Sequence, residues 1–227
     1  MSDVTIVFAG RAGIGRAVVD RLRDRGDDVV VLDGDSLDLT DAVATRAALD
    51  AGLDGRNATR MVWAWLDARA HVAAPITSLD EAGWDAAAER SIRAAFVAWQ
   101  QSFAVLADDA RVVVLLPSVA AVGVVDLVPL CTAVESIRVM GKAIARRWGA
   151  RSITVNTIEV ELSAWLLGDD EPGAVPVPSV PVLGQPALAP SSAVADVVGL
   201  IDLLSGGGSG AITGTLLVAD RGTVMQP

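Results

Sequence analysis

VTIVFAGRAGIG, residues 4–15, opens with apolar, mostly β-branched residues (Val4, Thr5, Ile6, Val7, Phe8), the composition of a buried strand. Glycines follow at Gly10, Gly13 and Gly15, and from Arg16 to Arg25 the residues Val18, Val19 and Leu22 share one helical face. Strand, glycine turn, helix is the opening of a nucleotide-binding α/β unit. In such a unit Gly10 lets the chain leave the strand sharply. Gly13 lets backbone N–H groups approach a pyrophosphate, and Gly15 lets the helix lie close to the sheet. The helix start, around Ile14, turns its positive dipole end to the phosphates. The competing reading is a tight βα turn that holds no ligand.

Outward from this turn the pattern repeats. A second apolar strand, Val29 to Leu32, ends in Asp33, about 20 residues beyond the glycines, where an acidic side chain accepts from a ribose diol. Thr40 or Asp41 is placed to cap a helix from Ala42 to Leu49. Arg60 to Leu66 reads as a strand. Ser78 and Glu81 form a capping box for a long helix from Leu79 to Leu106, on which Ala88, Ile92, Phe96, Trp99 and Phe103 recur at helical spacing. Val112 to Leu116 is a continuous apolar strand closed by Pro117 and Ser118, and a second long helix spans Leu130 to Trp148. Ser152 to Ile158 is a strand, the proline-rich stretch Glu161 to Pro190 an irregular segment, and Ala193 to Leu204 a helix. Gly206 to Gly210 is a turn and Leu216 to Ala219 the last strand. The alternation of strands and helices predicts an α/β, doubly wound parallel sheet of Rossmann type, one domain over residues 1–227.

Composition narrows the function. With 52% hydrophobic residues in 227, the chain can bury a large core. Its single cysteine, Cys131, excludes an internal disulfide and points to a reducing, cytoplasmic setting. No signal-like segment and no charge-free apolar run of membrane-spanning length stands out. A net charge of -10 repels phosphate backbones, which argues against nucleic acid as a partner. No cluster suggests a metal. The chain has no Tyr, and its only Lys is Lys142.

Taken together the chain resembles the short-chain dehydrogenase/reductase (SDR) family, especially the compact forms related to 3-oxoacyl-carrier-protein reductases. AGRAGIGRAV resembles the cofactor turn, with Asp33 after the second strand. LDLTD, with Asp38 and Leu39, resembles the segment at the adenine. VVVLLPSVAAVG resembles the strand and turn that carry the family's catalytic Ser, here Ser118. ITGTLLVADRGTVM resembles the C-terminal strand and turn. The resemblance covers nearly the whole chain. It implies NAD or NADP as cofactor, with Arg11 a candidate for an extra phosphate, and hydride transfer to or from a carbonyl or alcohol.

The departures are equally specific. The family's proton donor is a Tyr, and its helper Lys lies one helical turn later. Those positions hold Leu130 or Cys131, then Val134 or Glu135. Lys142 lies further along the same helix by roughly 10–12 Å at the helical rise, and Arg138 carries a guanidinium, not an ammonium. The family's central-helix Asn falls near Ser91. The glycine turn has two residues, Arg11 and Ala12, where the family has three. Ala64-Trp65-Leu66-Asp67 stands for the family's Asn-Asn-Ala-Gly, so Trp63 and Trp65 are expected to crowd the cofactor's space. Val160-Glu161 replaces a Pro-Gly near the nicotinamide.

Three functions fit. The first is a pseudoenzyme, a structural or regulatory subunit that forms a homo- or hetero-oligomer through the two long helices and the C-terminal strand, in the hetero case with an active SDR homologue. The second is a divergent oxidoreductase, or a non-redox enzyme on an acyl-thioester or polyketide-like carbonyl substrate, using Ser118, Glu135, Glu159 or Glu161, with Cys131 and His71 as weaker candidates. The third is a binding module that senses a dinucleotide or metabolite.

Overall fold

In a computed structural model the strands are β1 Val4–Ala9, β2 Asp28–Asp33, β3 Ala58–Ala64, β4 Leu106–Pro117, β5 Thr154–Val160 and β6 Leu216–Ala219. The structure describes residues 3–170, 177–178, 186–189 and 191–225. The strands form one all-parallel sheet, as the alternating pattern predicts, and their order is β2-β1-β3-β4-β5-β6. Every residue of β1 and of β5 is buried, as expected of strands covered on both faces.

The helices are α1 Gly13–Asp24, α2 Ala42–Leu53, α3 Glu81–Trp84, α4 Arg90–Phe103, α5 Val128–Trp148, α6 Leu162–Leu167 and α7 Ala193–Ser205. From β1 the chain steps to β2 through α1, then back past β1 to β3 through α2. Opposite directions along the sheet put right-handed crossovers on opposite faces. Hence α1 packs with α6 and α7, while α2 packs with α4 and α4 with α5. Among the described residues no helix is long and apolar enough to cross a membrane.

Several local expectations change. The cap of α2 is Asp41, whose carboxylate accepts from the N–H groups of Val43 (2.8 Å) and Ala44 (3.1 Å). The expected capping box at Ser78 is not made. Ser78 Oγ donates to the Pro75 carbonyl, and Asp80 caps α3 instead by accepting from Gly83 N–H at 2.8 Å. The single helix expected from Leu79 to Leu106 is α3 and α4 joined by a π-helical turn, Asp85–Glu89, and it stops at Phe103 because Leu106 opens β4. The proline-rich segment is not irregular throughout, for it begins with α6. The expectation for residues 171–176, 179–185 and 190 lies outside the described residues.

Candidate functional site

Strand order reverses at β1, which pairs with β2 on one side and β3 on the other. The carboxyl end of such a switch point is where open α/β sheets bind ligands. The register places Ala9 beside both Asp33 and Ala64, so Gly10, Gly34 and Trp65 leave the sheet side by side. Above them is a crevice of about 540 Å³, its wall including Gly10, Gly13, Asp35, Trp65, His71 and Trp165. Asp35 is the only charged residue among its described lining.

The polar groups expected to meet a cofactor bind one another. Arg11 Nε donates to Asp33 at 2.9 Å, and the same carboxylate accepts from Asp35 N–H and Ser36 Oγ, both at 2.9 Å. Burial works to raise the Asp33 pKa, but these bonds outweigh it and hold the carboxyl below its ordinary range. Asp35 then turns back over the glycine turn. Its Oδ2 accepts from Arg11 N–H at 2.8 Å, and its Oδ1 from Trp65 Nε1 at 3.2 Å. A Cβ on Gly10 would lie 2.9 Å from that carboxylate, and one on Gly34 would lie 2.5 Å from the Trp65 indole. Thus the turn's first N–H group already has an anionic acceptor.

The head of α1 is covered as well. Gly13 has φ +70, and a Cβ there would meet the Trp165 carbonyl oxygen at 2.4 Å and that of Leu166 at 3.0 Å. The carbonyls of α6 therefore press on the turn where phosphate oxygens would approach, so negative dipole ends stand at the positive end of α1. A hydrogen bond from Trp165 Nε1 to His71 Nε2, 2.9 Å, ties α6 to the turn Ala68–His71 after β3. Burial lowers the His71 pKa to about 4, so the ring is neutral and accepts this bond at pH 7.

Of the other cofactor candidates, Gly15 lies against the Ala64 carbonyl, where a Cβ would come within 2.6 Å. Ile14 and Leu39 are buried in the core. Asp38 accepts from Thr40 Oγ1 at 2.8 Å, which with Arg90 at 3.4 Å holds its carboxyl below the usual range. Trp63 does not reach the crevice. It is fully buried against Phe8 and Trp99, and only Trp65 crowds the cofactor's space. Asp67 is clamped by Arg69 and Arg90, and its N–H donates to Ser91 Oγ at 2.9 Å. Ser91 thus braces the loop after β3.

The catalytic half of the expected site lies at the tips of β4 and β5, where the register sets Pro117 beside Val160. Ser118 follows there, fully buried, and its hydroxyl has no hydrogen-bond partner among the described residues. Leu130 and Val134 on α5 are buried, and Cys131 is half-buried with its thiol pKa pushed up by burial. Glu135 pairs with Arg138 (Nε to Oε2, 3.0 Å) and Glu161 with Arg221 at 2.6 Å. Glu159 is buried, 4.0 Å from Arg138 Nε. Burial, aided by Glu135 and Asp220, raises its pKa to about 7.

No family model matches the sequence, and no curated protein matches it. Solved structures do. A short-chain dehydrogenase/reductase variant from Serratia marcescens superposes with a TM-score of 0.76 at 22% identity, over 97% of each chain. The chain has the short-chain dehydrogenase/reductase fold. A Brucella melitensis protein described as a short-chain dehydrogenase/reductase of the glucose/ribitol dehydrogenase type gives 0.76 at 15% identity over 100% of both chains. A metagenomic blue fluorescent protein solved in complex with NADPH gives 0.75 at 21% identity over 98% of both.

The SDR fold implies a nicotinamide dinucleotide, and the residues present do not suit one. A pyrophosphate brought to the Gly10–Gly15 turn meets the Asp35 carboxylate and the α6 carbonyls, while the turn's own cation, Arg11, is bonded to Asp33. No group of His, Cys, Asp and Glu suited to a metal occurs among the described residues. Asp35, Trp165 and the acceptor role of His71 were not legible in sequence. The one available signal was a second carboxylate two residues after Asp33, in a glycine-containing loop.

Proposed function

We propose that this chain is a non-catalytic protein of SDR fold, a cytoplasmic structural or regulatory subunit that assembles with an active SDR-fold partner. The observation that carries this reading is the Asp35 carboxylate bonded to the N–H of the glycine turn. It supports a crevice that repels a dinucleotide, whether NAD or NADP. The sealed Ser118, in a chain without Tyr, supports the loss of proton transfer to a carbonyl. Of the residues the enzyme alternative relies on, Ser118 and Glu159 are buried, and the partly exposed Glu135 and Glu161 are engaged by Arg138 and Arg221.

The assembly surface is read from α4 and α5. Phe96 on α4, 52% exposed, lines a groove of about 540 Å³ together with Trp99, Phe103, Met140 and Trp148, and Val139 on α5 is 58% exposed. Exposed aromatic and aliphatic side chains flanking an apolar groove on two long helices suit helix-to-helix packing with a partner. At the sheet's end, β6 pairs with β5 alone among the described strands and leaves an edge for extension.

The test is mass measurement of the tagged chain isolated from its own host. The expected result is a hetero-oligomer whose second chain has the SDR fold with Tyr and Lys in place. Phe96→Glu should weaken it about 100-fold or more, as removal of a buried interface aromatic does. A monomer, or a homo-oligomer indifferent to Phe96→Glu, overturns the reading.

A further inference from the structure

We propose that the crevice between β1, β3 and α6 binds an apolar, non-anionic small molecule bearing a hydroxyl or amine head group, with the head on Asp35 and the body between Trp65 and Trp165. The inference rests on the reading that no dinucleotide occupies this space. Its volume, about 540 Å³, falls within the range of small-molecule sites. Its wall is chiefly apolar and aromatic, with alanines at Ala64, Ala68 and Ala73 leaving room that larger side chains would fill.

The hydrogen-bonding capacity defines the ligand. His71 Nε2 is taken by Trp165 and its other nitrogen by the Ala68 backbone, so the imidazole offers nothing further. Asp35 is different. It accepts two bonds, from Arg11 N–H and Trp65 Nε1, and a carboxylate has about four acceptor positions. Those that remain accept from a donor and repel an anion. Asp35 is exposed at the mouth while Trp65 is buried, so a head group stays near water and the body enters apolar surroundings. The wall presents apolar surface outward too, with its residue Val72 63% exposed.

Two fluorescent probes of one scaffold separate the charge effect. N-phenyl-1-naphthylamine is neutral with an N–H donor, and 1-anilinonaphthalene-8-sulfonate adds one negative charge. The neutral probe is expected to saturate at one per chain, with the sulfonate binding at least about tenfold more weakly. Asp35→Asn should narrow that gap to about threefold or less. Ala73→Trp, at an exposed wall position, should abolish saturable binding while the protein stays folded by circular dichroism. Equal affinity for the two probes, or saturable binding unchanged in Ala73→Trp, overturns the proposal. So does absence of saturable binding of the neutral probe, and if NAD+ and NADP+ also fail to bind by calorimetry, the closed-crevice reading stands alone. Displacement of the neutral probe by NAD+ or NADP+ overturns both.

Discussion

Gly13→Ala is expected to lower the unfolding free energy by about 3–5 kcal/mol, against about 1 kcal/mol for Gly26→Ala. Both glycines have positive φ, +70 and +90, so each substitution carries the strain of a left-handed L-residue. Only Gly13 carries a second cost. Its new Cβ would sit 2.4 Å from a backbone oxygen of α6, whereas nothing lies within 4 Å of the Cβ position on Gly26. The difference between the variants therefore measures how firmly α6 is seated on the glycine turn. Urea unfolding of both proteins gives it directly. Equal losses would mean that α6 yields at little cost, and the covered helix terminus would lose its main support.

Glu159→Gln is expected to stabilise the protein by about 2–3 kcal/mol at pH 8 and by little at pH 4.5. The folded-state pKa is about 7, above the ordinary 4.5. The folded protein thus holds this proton more tightly than the unfolded chain. The stabilisation is complete below pH 4.5 and is lost as pH rises to about 7, at about 1.4 kcal/mol per pH unit. Glutamine stays neutral and escapes the loss. His71 slopes the other way. Its folded pKa of about 4, depressed from 6.5, gives stability that is present above pH 6.5 and lost as pH falls toward 4. In the unaltered protein the two slopes oppose each other from pH 4.5 to 6.5. In Glu159→Gln the rise due to His71 should emerge alone. A variant whose pH profile parallels the unaltered protein would contradict a buried Glu159 that holds its proton above the ordinary carboxylate range.

The sheet was legible because its signals are local. Val4 to Phe8 and Val112 to Leu116 are continuous apolar runs, which only a doubly covered parallel strand requires, and the glycine spacing fixes the turn between β1 and α1. What failed were choices between near-equivalent local bonds. Ser78 and Asp80 both stand ahead of an apolar helix, and only the placed backbone shows that Asp80 reaches Gly83 N–H while Ser78 closes a turn on Pro75. Trp63 and Trp65 look interchangeable in sequence. Yet β3 ends at Ala64, so Trp63 stays in the core and Trp65 leaves the strand alternation for the crevice.

Long-range bonds were beyond sequence reasoning. Asp33 reads as a ribose acceptor because its place after β2 suits one, but the arrangement that engages it depends on Arg11, 22 residues earlier in the chain. The seat of α6 depends on His71 and Trp165, 94 residues apart. Neither has a periodic signature. The first follows from the register that sets the tips of β1 and β2 together, the second from the packing of α6, which follows β5, against α1.

The chain's own groups, on this reading, close the crevice to dinucleotides. Titrating NADH and NADPH into the purified protein while following tryptophan emission tests it most directly, because Trp65 and Trp165 line the crevice and report on a nearby nicotinamide. No saturable quenching is expected up to roughly millimolar concentration, a binding free energy weaker than about 4 kcal/mol. Saturable quenching by either nucleotide at micromolar concentration, reduced by substitution at Gly13 or Asp33, would contradict it.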